Sequence, residues 1–408
     1  MVMESLDFGR VGLLAKSFGL GLGLFVGAQG VSSAELKIDG SMLMLAMGRD
    51  YGGEVEGESV SASLTLDFES DLSDALRVGA QLLHVERLDE SGIVDAGYWL
   101  SNDSTSEVNE LYLDWKLVGF GSGSSRLKIG RQSAGFDFMP SYKVRHKSQA
   151  FEGIRFETKV ANGVALDFGH VERCSSWSCR EGGPSTVNAD FIDFSERLGF
   201  GGGDRGVQFA SAAWEVNDAL RISGYDYYAD GFYNNMGGKL AYRLPRTEAE
   251  GDWIVSAHFV RQDGMSGGAM SAHEADMLEL NLRRQVGGLT LDTGWAHVGR
   301  GSDLAAPFRT SFVIDATLLW YTEQYAAGSD SLYLKSVYRT GPWTLVGVLV
   351  GAFHANDKES QEFDTVIKYA FENDVWVAFK GGLGRRRFDE GAPGQDATDL
   401  RLFVGYSF

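Results

Sequence analysis

The side chains with chemistry to offer are arginines and lysines placed at every second position of segments that are apolar on their other face. Arg77, Lys116, Lys128, Arg155, Lys159, Arg221, Lys239, Arg243, Arg283, Lys368, Lys380 and Arg401 all have this placement. A guanidinium presents paired donors that match a carboxylate, and an ammonium presents a compact charge. A file of such groups along one wall can therefore hand an anion onward without trapping it. The competing reading for each is an ion pair with a carboxylate on the same kind of face: Glu110, Asp114, Glu157, Asp167, Glu279, Asp292 or Asp364. Arg131 has the parity of Leu127 and Ile129 instead, so it joins the basic file only if its strand has ended or bulged there.

Catalytic patterns lack the context their chemistry needs. Gly264-Met265-Ser266-Gly267-Gly268 has the nucleophile-elbow spacing, and Gly201-Gly202-Gly203-Asp204-Arg205-Gly206 the dinucleotide spacing, but both lie in glycine-rich loops with no helix following. The seven histidines are scattered without metal-ligand spacing, so neither enzyme activity, cofactor nor metal is expected. An outer-membrane enzyme of lipase or protease type and an adhesin stay as alternatives. Cys174 and Cys179 close a short loop of Ser, Gly and Pro, and a local disulfide is expected in an exported chain; two free thiols are the alternative.

The elements that must carry these residues are strands. Leu111, Leu113, Trp115 and Leu117 alternate with Glu110, Tyr112, Asp114 and Lys116. Ile154, Phe156 and Thr158 alternate with Arg155, Glu157 and Lys159, and the same dyad returns at Leu278 to Arg283 and at Phe363 to Tyr369. The charged faces are too many to bury in a dry core, so the polar side lines a wet lumen and the apolar side faces lipid. Short turns at Ser70 to Asp74, Ala161 to Gly163, Asn217-Asp218, Val286 to Gly288, Gly341-Pro342 and Asn373-Asp374 take turns with longer loops. Those are Leu88 to Ser106, Ser133 to Ala150, Ser175 to Arg205 and Gly299 to Ser329. The expected fold is all-β, one closed antiparallel transmembrane β-barrel of about 18 strands. The runner-up is 16, because Ser311 to Ala327 reads as strand or loop.

Composition and the two ends agree. The chain has 53 glycines, 6 prolines and 12% aromatics, and its mean hydropathy of −0.15 suits alternating lipid and lumen positions. A formal charge of −19 argues against nucleic acid as a partner. Residues 1–34 read as a secretory signal with Ser32 and Ala34 at the cleavage site, leaving 35–408 as the barrel. Leu400, Leu402, Val404, Tyr406 and Phe408 share one apolar face of the last strand. This ending resembles the terminal strand of bacterial outer-membrane β-barrels, which implies that Tyr406 and Phe408 are read by the barrel-assembly machinery.

One region resembles a family more specifically. Lys128-Ile129-Gly130-Arg131-Gln132, then Pro140, Arg145 and Phe151-Glu152-Gly153, then Gly163 to Val171, is similar to the third-loop region of the OprD family of outer-membrane porins. Ala306 to Thr310 and Tyr325 to Ser329 resemble that family's seventh loop. The resemblance implies a barrel narrowed by an inward-folded constriction loop, with Lys143 and Arg145 in it. It implies passage of small organic solutes, carboxylate-bearing ones above all, down a ladder of basic residues, which strand parity lets Lys128, Arg155, Lys159, Arg77, Arg283 and Lys380 build here, with Arg131 if its strand has ended or bulged. Neutral solutes or oligosaccharides are the alternative. Membrane lipid and lipopolysaccharide would surround the barrel, as monomer or homotrimer.

Overall fold

Alternation of apolar and polar side chains builds a wall whose two surfaces meet different solvents. The computed structural model describes residues 35–52, 56–92, 104–118, 125–137, 139–160, 163–177, 190–200, 206–244, 251–306, 319, 324–354, 358–387 and 394–408. The expected signal segment, Cys179 and most of Ser311 to Ala327 lie outside them.

Eighteen strands form the wall. In order they are β1 Leu36–Asp50, β2 Glu56–Asp71, β3 Leu76–Gly92, β4 Thr105–Leu117, β5 Ser125–Gln132, β6 Phe151–Lys159, β7 Val164–Cys174, β8 Val207–Glu215 and β9 Leu220–Ala229. They continue with β10 Tyr233–Leu244, β11 Asp252–Gly264, β12 Glu274–Val286, β13 Leu289–Val298, β14 Ser329–Thr340, β15 Trp343–His354, β16 Glu359–Ala370, β17 Val375–Arg387 and β18 Gln395–Ser407. Each pairs antiparallel with its sequence neighbours, and β18 returns to pair with β1 from Ser41↔Ser407 to Asp50↔Thr398. A closed ring leaves no free edge, so every strand's backbone is satisfied without water. A two-residue strand, Ile192–Asp193, and one helical turn, α1 Phe194–Arg197, lie between β7 and β8. β3 runs past Leu88 to Gly92, further into the first long loop than its sequence suggests.

The outward surface is apolar. Leu111, Leu113 and Trp115 on β4, Leu278, Leu280 and Leu282 on β12, and Leu400, Leu402, Tyr406 and Phe408 at the C-terminal end are all exposed. Aromatics ring the end where β1 begins and β18 ends, among them Trp115, Trp214, Tyr242, Trp343, Tyr406 and Phe408, as expected where a membrane meets water. Their opposite neighbours along each strand face the lumen and carry the buried polar groups: Asn109, Asp114, His258, Glu279, Asp292, Glu362, Asp364 and Arg401. At the seam the Phe408 amide donates to the Gly40 carbonyl (2.9 Å) and the Gly40 amide to the Phe408 carbonyl (2.8 Å). Glycine at 40 makes room for the terminal ring, which would overlap a Cβ there.

Candidate functional site

The inner loop begins with one backbone decision. Gly130 in β5 has a φ of +119°, and a Cβ at that position would lie 2.3 Å from the Leu111 carbonyl oxygen. Only glycine takes up this geometry without strain, and it lets β5 stay paired with β4 through Arg131, just before the chain leaves the wall after Gln132. Two local bridges, Gly135↔Pro140 and Lys143↔Ser148, fold residues 133–150 on themselves.

The loop spans the lumen. At one side Phe136 packs on Phe151 (centroids 5.5 Å apart) and Phe209 (4.5 Å), while Lys239 on β10 donates to Asp137 at 3.0 Å. At the other side His146 lies between the hydroxyls of Ser61 (2.9 Å) and Ser63 (2.7 Å) on β2, and Lys147 donates to Glu107 on β4 at 3.0 Å. β2 and β10 stand on nearly opposite sides of the ring. Behind the loop, Met139, Phe151, Phe194, Val207, Tyr227 and Tyr233 form an apolar cluster that supports it against the wall. Burial, with Arg145 and Lys143 close by, pushes the His146 pKa down to about 3, so the ring is neutral and bonds both serines. A second segment also folds inward: the Leu304 amide donates to the Tyr325 carbonyl (2.8 Å), and the Leu319 amide reaches Glu362 on β16 at 2.6 Å.

The basic residues divide into three groups. Most guanidiniums are held by carboxylates. Arg155 bonds Asp167 (2.8 Å) and Glu157 (2.8 Å) and lies over the Phe136 ring at 4.9 Å. Arg283 bonds Asp292 (2.7 Å), and Arg77 bonds Asp71 (2.7 Å) and Glu69 (3.3 Å). Arg131 keeps the outward parity of Ile129, bonds Glu152 (3.1 Å) and lies 4.2 Å from the Phe191 ring. Lys239 and Lys147 are likewise held by carboxylates, but three lysines behave differently. Lys128 stands 3.5 Å over Tyr112, Lys368 4.4 Å over Trp376 and Lys380 5.2 Å over Phe403. Among the described residues no carboxylate pairs with these three. Lys159 is exposed at the end of β6. In the inner loop Lys143 is exposed, whereas Arg145 is 2% exposed with its guanidinium 5.0 Å over Trp177. Cys174 is buried at the end of β7.

Other lumen clusters are absent from the sequence reading. Arg49 on β1 and Arg401 on β18 share Asp399, all three buried. Arg49 was hidden because β1 is apolar on both faces through Met42 to Met47. Tyr225, His258 and Glu279 form a buried file, with 2.8 Å from phenol to imidazole and 2.7 Å from imidazole to carboxylate. Tyr333 donates to Asp292 at 2.7 Å, beside Arg283. The first cluster joins the two strands of the seam, and the other two span four and three adjacent strands along the wall's inner surface. Among the described residues no group of three His, Cys, Asp or Glu side chains is arranged to hold a metal ion.

Neither a known family profile nor a curated protein sequence matches the chain. Solved structures do. Pseudomonas aeruginosa OccK3 (OpdO) is 15% identical with a TM-score of 0.74, over 92% of this chain and 96% of that one. P. aeruginosa OccK9 (OpdG) is 16% identical with a TM-score of 0.74, over 92% and 98%. P. aeruginosa OpdK, determined with vanillate, gives 16%, 0.74, and 92% and 98%. The fold of this chain is the fold of these proteins.

Proposed function

We infer that the protein is a channel of the bacterial outer membrane, similar to the OprD/Occ porins, that passes small organic solutes, and we propose that carboxylate-bearing solutes are preferred. An apolar outer wall, a polar lumen and a loop laid across it make a filter for small solutes. The preference rests on one observation: Lys128, Lys368 and Lys380 face the lumen on aromatic rings, while most of the guanidiniums are already engaged by carboxylates. An ammonium held only by a ring face keeps donors for a passing anion, and the aromatic beneath it offers a surface to an aromatic acid. Arg155 and Arg145 brace the wall and loop in this reading, and the lysines carry the filter. Residues 1–34 are proposed to be removed on export.

Reconstitution into planar bilayers under a salt gradient tests it. The wild type should show a reversal potential of anion-selective sign, and Lys128→Gln with Lys380→Gln should shift it toward cations. Vanillate, present in one of the similar structures, is a suitable first solute; its flux should fall in the double variant. Unchanged selectivity and flux would instead favour a pore for neutral solutes.

A further inference from the structure

The outer wall carries a groove of about 950 Å³ across β14 to β18, on the side away from the lumen. Two neighbouring cross-strand rows define it. Leu334, Leu349, Phe363 and Leu383 lie opposite one another in register and form its lower edge. The next row runs Leu332, Gly351, Gln361, Arg385, Asp396. Gly351 is the low point. A Cβ there would lie 3.2 Å from the Phe353 ring, which leans over the groove as its upper edge. Three interstrand steps of ~4.8 Å separate Leu334 from Leu383, so the apolar edge is ~14 Å long.

The two ends differ in chemistry. From Leu332 to Phe363 the lining is almost wholly apolar. At the far end Arg385 and Asp396 are 71% and 81% exposed and only loosely paired at 3.7 Å, with Thr398 and Asp50 beside them. An arginine this lightly held offers its fork to a phosphate, and the carboxylates and hydroxyl around it are acceptors for sugar hydroxyls. The polar end lies toward the loop after β17, opposite the end where β1 begins and β18 ends, which places it at the outward-facing leaflet if the protein is an outer-membrane channel.

We propose that this groove is a binding site for a phosphorylated glycolipid, with one acyl chain lying across Gly351 and a phosphate on Arg385. The proposal rests on the outer-membrane reading above. The test uses the full chain purified in non-ionic detergent, mixed separately with diphosphoryl lipid A, phosphatidylethanolamine and phosphatidylglycerol, and read by native mass spectrometry. One lipid A per chain should be retained in preference to either phospholipid. Arg385→Ala, at an exposed position, should lower retention about tenfold or more, the factor expected from one charge-assisted hydrogen bond. Gly351→Leu should do the same by filling the groove. Equal retention of all three lipids, retention unchanged in both variants, or paired chains that exclude lipid A from the groove would each overturn the proposal. Conductance of the same preparations separates the two readings. A variant that loses lipid A and conducts normally supports the site as distinct from the pore. Lipid A held by a wild type that does not conduct leaves the site standing and ends the channel reading.

Discussion

At the scale of single residues, Gly130 and His146 are the two whose roles can be read most sharply. Gly130 combines a positive φ with a carbonyl where its Cβ would be. Gly130→Ala should destabilise the folded barrel by roughly 1 to 3 kcal/mol, the usual range for a side chain forced into such a conformation. A lower urea midpoint of the compact, heat-modifiable form on gel electrophoresis is the expected result; an unchanged midpoint would mean that β5 can slide along β4. His146 bears on pH. In a detached loop an imidazole takes up its proton near pH 6.5, but between Ser61 and Ser63 it does so only near about 3. Between those limits the detached loop binds more protons, so seating weakens as pH falls below about 6.5, by up to about 1.4 kcal/mol per pH unit. Above that range the ring is neutral in both states and contributes no pH dependence. Current through single channels should therefore be steady from pH 8 to 7, with loop fluctuations growing toward pH 4. His146→Asn, which keeps a polar group but cannot titrate, should abolish the growth.

At the scale of elements, what could be read from sequence was whatever a short window contains. The dyads at Leu111 to Lys116 and Leu278 to Arg283 gave strands with the correct face outward, because the side-chain period of a strand is two and each face meets one solvent. The turns at Asn217-Asp218 and Asn373-Asp374 were legible for the same reason, and Asp374 takes the one positive φ of a described non-glycine residue. The contacts across the lumen were not. His146 meets a serine 83 residues away and Asp137 a lysine 102 residues away, and no local pattern encodes pairings of that span. Parity likewise placed Arg155 and Arg283 inside but could not say that carboxylates on adjacent strands would hold them. The inner loop is separable from the wall, since β5 and β6 pair directly from Arg126↔Glu157 to Gln132↔Phe151. Replacing residues 134–148 with a short Gly-Ser link should leave a heat-modifiable barrel whose single-channel conductance rises several-fold. A conductance no greater than wild type would mean that the narrowest point lies at the second inward segment, near Leu304 and Tyr325.

At the scale of the whole molecule, a chain with a net charge of −19 can still favour anions within. Charges separated by more than ~8 Å of physiological saline scarcely sense each other, so the sum over the protein does not by itself set what the lumen prefers. The whole-molecule feature with the longest reach is the seam. β1 finds its second neighbour only in β18, and Phe408 makes the last two backbone bonds with Gly40. Each strand from β2 to β17 pairs only with its neighbours in sequence. Synthesis proceeds from the β1 side, so that edge waits, unsatisfied, through the making of all the rest. No shorter chain closes the ring, and the barrel is complete only with the arrival of its final strand.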